Sequence, residues 1–206
     1  MALERLELHP INPNKRTLQY VAQKLNEGKI IIFPTDTIYA MGCLYNQKNA
    51  IEQISRILGK KEKQNKMSLI CPSISVIASY TKPFSNDVFK TMKRYLPGPY
   101  TFILHANQSV QKYFKHKKDE IGIRIPDNEI IRQLSEMLEV PIISTSLSSE
   151  DDIQKYYTNP DEVAEVFKHD VDLLLDGGSG ALSESTVLDC TGAEIIVLRE
   201  GKGNIE

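Results

Sequence analysis

Hydroxyl-bearing residues stand beside proline, glycine or arginine at the ends of several predicted strands. Loop hydroxyls and backbone N–H groups bind anions well, and loops at strand ends of an open α/β sheet converge on one crevice. The segments are PTDT at 34–37, PGPYT at 97–101, RIP at 124–126, STS at 144–146 and EST at 184–186. Taken singly, each also has a structural interpretation, because threonines cap turns and an arginine forms ion pairs. Their coincidence favours a shared site for a phosphate-bearing ligand.

Other chemistries lack support in the residue pattern. The sequence contains no G-x-x-x-x-G-K-[ST] phosphate loop and no G-x-S-x-G nucleophile elbow. Cys43, Cys71 and Cys190 are far apart without a C-x-x-C pair, and the four histidines show no metal-binding spacing. We therefore expect no covalent catalysis, no disulfide framework and no metal held by the protein alone.

The elements that must position these loops follow from periodicity and from turn signals. Asn12 and Pro13 predict the start of a helix whose apolar residues recur until Gly28. Further helices are predicted near 50–58, 88–95, 130–138 and from 160, and strands at 29–33, 67–71, 100–104, 121–125, 141–145, 171–175, 186–190 and 194–199.

The alternation of these elements predicts one α/β domain over residues 1–206, built on a twisted mixed sheet. Only loops separate the last three strands, so we expect them to be antiparallel. Residues 146–155 are rich in serine and acids and predict a mobile loop.

Composition narrows the setting in which the chain works. With 41% hydrophobic and 25% charged residues and no long apolar run, we expect a cytoplasmic protein without a membrane partner. The net charge of −2 gives no global attraction for nucleic acid. Local basic runs occur at 60–66 and 112–118, and each is either a solvated loop or part of a binding surface.

An ordered series of motifs resembles the YrdC/YciO family from Ile30 to nearly the end: FPTDTIYAMG, PGPYTFIL, IGIRIP, PIISTS, DGG and ESTVLD. The resemblance implies a YrdC-like twisted mixed sheet, flanked by helices, around a large basic concave cleft. It also implies an activity. Threonylcarbamoyl-AMP synthases of this family combine ATP, bicarbonate and L-threonine and release pyrophosphate, in the first step of tRNA threonylcarbamoyladenosine modification. Family proteins are also described as binding double-stranded RNA.

The resemblance assigns roles to residues that match the family motifs. Mg²⁺ is expected to arrive with ATP rather than at a dedicated protein site. The implied positions are Thr35, Thr37, Tyr39, Thr101 and Arg124 for the substrate and cleft floor; Ser144, Ser146, Ser185 and Arg199 for the nucleotide; and Lys60 and Lys61 as catalytic phosphate contacts.

Some positions differ from the synthase pattern. Lys60 and Lys61 stand where the synthases carry K-x-R, Ser148 replaces the asparagine of S-x-N, and Ala40 replaces a glycine. With the LHPINPN start and the REGKGN ending, these differences favour the YciO branch. Three hypotheses follow: a threonylcarbamoyl-AMP synthase-like nucleotidyltransferase, a non-catalytic accessory protein that binds double-stranded RNA or tRNA, and a sensor that binds ATP or AMP without turnover.

Overall fold

The computed structural model describes residues 3–57, 67–113, 119–147 and 156–205. The described strands are β1 (Glu4–Glu7), β2 (Ile31–Phe33), β3 (Ala40–Leu44), β4 (Ser68–Ile70), β5 (Tyr100–His105), β6 (Glu120–Arg124), β7 (Ile142–Ser146), β8 (Leu173–Asp176), β9 (Thr186–Asp189) and β10 (Ile196–Arg199). The described helices are α1 (Lys15–Asn26), α2 (Lys48–Ile57), α3 (Ile74–Ile77), α4 (Asn86–Tyr95), α5 (Gln108–Gln111), α6 (Glu129–Glu136) and α7 (Pro160–Phe167).

These strands form one ten-stranded sheet in the order β1-β8-β2-β3-β7-β4-β6-β5-β9-β10. Its pairs β1/β8, β2/β8, β4/β6 and β5/β9 are parallel, and the other pairs are antiparallel. The predicted twisted mixed sheet flanked by helices is confirmed. That the whole chain forms one domain stays a prediction.

Helix α1 shows how local chemistry sets an element boundary. Leu18, Val21 and Leu25 are fully buried at helical spacing. The cap is Asn14, whose side chain accepts hydrogen bonds from the N–H groups of residues 16 and 17. The prediction that Asn12 caps this helix is wrong, because the N–H of Asn12 is bound by the ring of His9 in a preceding turn.

The two faces of the sheet are covered to different extents. Helices α1 and α6 pack on β8, β2, β3, β7 and β4, and of the described residues none from β5, β6 or β9 joins that cluster. The other face packs against α2, α4 and α7 along most of the sheet. None of the described helices therefore covers one face of β6, β5 and β9, and Ile103 and Val187 on that face are only half-buried.

Strand order is where the sequence prediction fails most. Strands β9 and β10 are antiparallel, as expected, but β8 lies between β1 and β2 and is parallel to both. Strand β8 is second in the sheet order and β9 is ninth, so the chain between them crosses the end of the sheet. A connection of that length can join two strands that are far apart and point the same way. Strands β1 and β3 and the short helices α3 and α5 were not predicted.

The predicted mobile loop at 146–155 is only partly described. Ser146 ends β7, and Leu147 just beyond the strand is fully buried with its N–H donating to the Tyr39 carbonyl, so both residues are held in place. The remainder lies outside the described residues. Among the described helices, none combines the length and apolar character needed to cross a membrane.

Candidate functional site

The loop after β2 carries the PTDT motif across the end of the sheet. Three strands separate β2 from β6, a distance of about 19 Å at the usual strand spacing. Arg124 at the end of β6 nevertheless donates to Asp36 Oδ1 at 2.8 Å and to Thr37 Oγ1 at 3.1 Å. The loop after β2 thus reaches across the sheet end and brings two predicted site segments together.

Asp36 and Arg124 form a buried ion pair, with each side chain only 6% exposed. The second carboxylate oxygen of Asp36 accepts the N–H of Asp127 at 3.0 Å, so both oxygens are engaged. Burial lowers the pKa of Arg124, and the nearby Asp36 carboxylate opposes that change. The Nε of Arg124 has no hydrogen-bond partner among the described residues. A buried N–H of this kind is costly unless a ligand or water accepts from it.

The hydroxyls of Thr35 and Thr37 are engaged within their own turn. Thr35 Oγ1 accepts from the Thr37 N–H at 3.0 Å, lies 2.9 Å from Thr37 Oγ1 and donates to the Ile38 carbonyl at 2.8 Å. The turn-capping interpretation of these threonines therefore describes the geometry. Contact between the Thr35 hydroxyl and a ligand requires one of these bonds to be exchanged.

Tyr39 holds the glycine turn that follows β8. Its hydroxyl donates to the Gly178 carbonyl at 2.7 Å and accepts the Gly177 N–H at 3.3 Å. Burial raises the pKa of Tyr39 to about 12. Gly178 has φ +89, which favours glycine at this turn. The geometry gives Tyr39 a positioning role, and its predicted contact with substrate stays untested.

A second group of predicted residues meets at the start of β9. Thr101 and Ser185, both buried, share a hydroxyl hydrogen bond of 2.7 Å. Arg199 on β10 donates from Nε and Nη2 to the Ser185 carbonyl at 3.1 and 2.9 Å. Its Nη1 forms an ion pair with the Glu184 carboxylate. Arg199 is thus a clamp on the EST segment, and its side chain remains 39% exposed.

Ser144 shares a sheet face with Arg124. In the sheet register Ser144 pairs with Ser68, and Ser68 pairs with Gly122. Gly122 is two residues before Arg124 and so faces the same way. A Cβ on Gly122 would meet Thr101 Cγ2 at 3.1 Å, which places Thr101 on this face as well. These residues form what we call the open face: Ser68, Thr101, Gly122, Arg124 and Ser144.

Serine is well suited to the floor of such a surface. Ser144 is buried and donates to the Ser68 carbonyl at 3.5 Å, whereas Ser68 and Ser146 are half-buried. At β4 and β7 the open face therefore carries hydroxyls, whereas Ile103 and Val187 continue the same side of the sheet at β5 and β9. Arg124 bonds Thr37, whose hydroxyl lies 2.9 Å from that of Thr35, so Arg124 links the PTDT turn to the open face. No hydrogen bond from Ser144 to Thr35 or Arg124 is among the described contacts, and a ligand site shared by Thr35, Arg124 and Ser144 stays a prediction.

The residues after β10 complete what we call the rim, which consists of the PTDT loop, the EST segment and the segment that joins them. The Gly201 N–H donates to Thr186 Oγ1 at 2.9 Å, and that hydroxyl donates to the Gly203 carbonyl at 2.6 Å. Between these glycines, Lys202 extends its ammonium group to the Asp36 carbonyl at 2.6 Å. We call residues 200–204 the C-terminal strap. It joins the β9 side of the rim to the PTDT loop.

Several residues at the site were missed or cannot be placed. Asp36, Glu184 and Lys202 were not singled out, although a buried acid beside a strand end signals that a cationic partner is near. Lys60 and Lys61 lie outside the described residues. The predicted large basic concave cleft therefore stays a prediction.

The donors at this site suit an anion better than a cation. In the described part of the chain, no group of three or more histidine, cysteine or acidic side chains could hold a metal ion. Both described carboxylates at the rim, Asp36 and Glu184, are paired with arginines. A Mg²⁺ ion carried by a nucleotide's phosphates stays a prediction.

Comparison with known proteins gives consistent matches along the chain. A family model described as "Telomere recombination" (Sua5_yciO_yrdC) matches residues 23–201. "Uncharacterized protein YciO" of Escherichia coli strain K12 is 34% identical over 200 residues, which cover 97% of this chain and 96% of that protein. The crystal structure of E. coli YciO matches with a TM-score of 0.90 at 34% identity and covers 98% of this chain and 97% of its own.

Two more distant matches carry a functional name or a ligand. "Threonylcarbamoyl-AMP synthase" of Pyrococcus abyssi is 29% identical over 185 residues, or 89% of this chain and 54% of that protein. The crystal structure of P. abyssi Sua5 complexed with L-threonine matches with a TM-score of 0.85 at 26% identity, over 98% of this chain and 58% of that one. The chain thus spans little more than half the length of these two proteins.

Proposed function

The chain belongs to the Sua5/YciO/YrdC family, and we propose that it binds ATP and L-threonine and, with bicarbonate, forms threonylcarbamoyl-AMP. The family name comes from the match over residues 23–201, and the activity is carried over from the P. abyssi relative by similarity. The same proposal extends to a role in tRNA threonylcarbamoyladenosine modification.

The observation that carries the proposal is the buried guanidinium of Arg124 with an unsatisfied Nε. It lies where the PTDT loop meets the open face, and its charge is fixed by Asp36 rather than free to move. An N–H donor held in a low-dielectric environment interacts strongly with a carboxylate or phosphate oxygen. Such a fixed donor supports binding of the anionic substrates.

The chemistry needs positioning and charge neutralisation rather than a protein nucleophile. The free amino group of threonine condenses with bicarbonate, forming an N–C bond with loss of water, to give the carbamate N-carboxythreonine. A carbamate oxygen then attacks the α-phosphorus of ATP, and the bond to pyrophosphate breaks with its electrons leaving on pyrophosphate. Cations and N–H donors that face the developing charge accelerate this step. Arg124 and Arg199 are the described guanidinium groups available, and Lys60 and Lys61 are further candidates outside the described residues.

The test is release of pyrophosphate from ATP by the purified chain. We expect release only when L-threonine and bicarbonate are both present, with threonylcarbamoyl-AMP as the second product by mass spectrometry. Calorimetry with ATP alone provides an independent measurement of binding. Pyrophosphate release that does not depend on L-threonine, or the absence of a calorimetric binding signal at millimolar ATP, would contradict the proposal.

No described feature favours RNA binding over nucleotide binding. That hypothesis depends on Lys60, Lys61 and Lys63, which lie outside the described residues. Its expected signature is RNA affinity that decreases with salt and with neutralisation of these lysines. It therefore stays a prediction.

A further inference from the structure

Lys202 is the cation at the described rim whose charge has no carboxylate partner. Arg124 is paired with Asp36 and Arg199 with Glu184. The ammonium of Lys202 instead donates to a neutral acceptor, the main-chain carbonyl of Asp36, and no described carboxylate lies within 4.0 Å of it. Among these described side chains, the uncompensated positive charge is that of Lys202.

The backbone on both sides of Lys202 is held against the sheet. The Lys202 N–H donates to the Glu184 carbonyl at 2.8 Å, and the Tyr100 hydroxyl donates to the Asn204 carbonyl at 2.6 Å. A Cβ on Gly201 would lie 2.6 Å from the Ser185 carbonyl carbon, and one on Gly203 would overlap the Tyr100 ring. The strap is therefore seated too closely for side chains at these glycines, which fixes the origin of the Lys202 side chain.

The Lys202 ammonium group forms one described hydrogen bond and has further N–H donors. A lysine ammonium has three N–H donors, and one is used by the Asp36 carbonyl. The residue is exposed, so its remaining donors are open to solvent. Lys202 and Arg124 approach the same aspartate, one at its main chain and the other at its side chain. An anion that reached the remaining donors of Lys202 would therefore lie beside the residue that also holds Arg124.

We propose that Lys202 binds a phosphate group of the ligand and supplies the positive charge that Arg124 and Arg199, being paired, do not. The inference rests on the proposed function, because it assigns to Lys202 the binding of the nucleotide's phosphates at the same site. It also gives a reason for a cation at the C-terminal strap in a chain that carries lysines where the synthases carry K-x-R. Lys202 is thus a phosphate-binding residue at the rim.

The test uses inorganic pyrophosphate, ATP and adenosine as separate probes in calorimetry. Lys202→Gln removes the charge while keeping a donor for the Asp36 carbonyl, and Lys202→Arg restores the charge. We expect the affinity of Lys202→Gln for pyrophosphate and for ATP to decrease about tenfold, the usual effect of losing one charged hydrogen bond. Lys202→Arg should recover most of the affinity, and adenosine affinity should be unchanged because adenosine carries no phosphate.

Lys82→Gln is the matched control. Lys82 is also exposed, and its backbone N–H donates to the His105 carbonyl. His105 ends β5, whereas Thr101 is near its start, so Lys82 lies away from the rim. Its replacement should leave pyrophosphate affinity within twofold of wild type.

The outcomes separate the two proposals. If wild type binds ATP and Lys202→Gln binds pyrophosphate equally well, the role of Lys202 is overturned while the proposed function stands. An equal decrease in affinity for adenosine and for pyrophosphate would also overturn it, because Lys202 would then affect binding through the conformation of the strap and not through its charge. If wild type binds pyrophosphate in a Lys202-dependent manner but makes no threonylcarbamoyl-AMP, the reaction is contradicted and the phosphate site is retained. Failure of wild type to bind either probe would overturn both.

Discussion

Asp36 stabilises the site by neutralising a buried guanidinium. Both side chains of the Asp36–Arg124 pair are 6% exposed, so each charge has lost most of its hydration. Two opposite charges compensate for that loss only while both are present. The pair is therefore a structural requirement for placing the Arg124 N–H donors at the open face, as well as a feature of the charge balance.

Replacement of Asp36 by asparagine tests this at the residue scale. Asp36→Asn keeps the shape but leaves the Arg124 charge uncompensated, and we expect the free energy of unfolding to decrease by about 3 kcal/mol in urea titrations. The double variant Asp36→Asn/Arg124→Met should recover part of that loss, because it removes the buried charge.

Asp161→Asn is the matched control for that experiment. Asp161 also pairs with an arginine, Arg5, but its side chain is 75% exposed. An exposed ion pair contributes at most about 1 kcal/mol. A loss for Asp36→Asn no larger than that of Asp161→Asn would show that burial of the Arg124 pair does not matter for stability.

Residue types were easier to predict than residue partners. The hydroxyls of Thr35, Thr101 and Ser185 were predicted to lie at strand ends, and they do. The sequence does not show that the Thr35 hydroxyl forms hydrogen bonds with Thr37 and Ile38. Nor does it show that the hydroxyls of Thr101 and Ser185 form a hydrogen bond, since these residues are separated by 84 positions. Partnership depends on strand order, which local residue patterns do not contain.

The C-terminal strap depends on glycines at the element scale. At Gly201 an added Cβ would lie 2.6 Å from the Ser185 carbonyl, with the Glu184 carbonyl oxygen closer still, and both are backbone atoms that cannot rotate away. A substitution at Gly201 must therefore displace the strap from β9. Displacement would move Lys202 away from the PTDT loop and disturb the segment that Arg199 clamps.

We expect Gly201→Ala to lower the free energy of unfolding by about 2 kcal/mol. The same variant should also bind pyrophosphate more weakly, because Lys202 is displaced with the strap. The measurements are urea unfolding and calorimetry on the same preparations. Gly192→Ala is the control, because a Cβ there would find its nearest neighbour, the Glu194 carbonyl oxygen, at 3.8 Å. Similar behaviour of the two alanine variants would show that close seating of the strap is unimportant.

Helices were predicted well because their signal is local. The apolar spacing of α1, α2, α4 and α6 and the Asn159 cap of α7 are visible over a few turns. Strand β1 (ERLE) was missed because an edge strand with exposed residues has no apolar run. Strand β3 was missed because Gly42 interrupts its apolar pattern, although packing requires that glycine: a Cβ there would meet the Ile143 carbonyl oxygen at 2.6 Å.

At the scale of the whole molecule, the sheet buries thiols on the face opposite the open face. Cys43 and Cys71 are fully buried in the larger apolar cluster. Burial raises the pKa of each thiol from an ordinary value of 9.0 to about 12. In the folded state these thiols stay protonated well above the pH at which the unfolded chain ionises them. The predicted absence of a disulfide or a reactive cysteine agrees with that environment but is not tested by it.

This difference predicts that stability decreases on the alkaline side. A raised thiol pKa means that the folded state binds more protons than the unfolded state above pH 9, so each rise in pH favours unfolding until the folded thiols also ionise near pH 12. At about pH 10, one unit above the ordinary value, each buried thiol should lower the free energy of unfolding by about 1.4 kcal/mol. Urea unfolding between about pH 8 and pH 10 measures this decrease, to which buried tyrosines such as Tyr39 and Tyr80, with an ordinary pKa of 10.0, add a smaller part near pH 10. A Cys43→Ala/Cys71→Ala variant should show a flatter dependence over that range, whatever its absolute stability, and an unchanged slope would mean that these thiols do not set the alkaline limit of the fold.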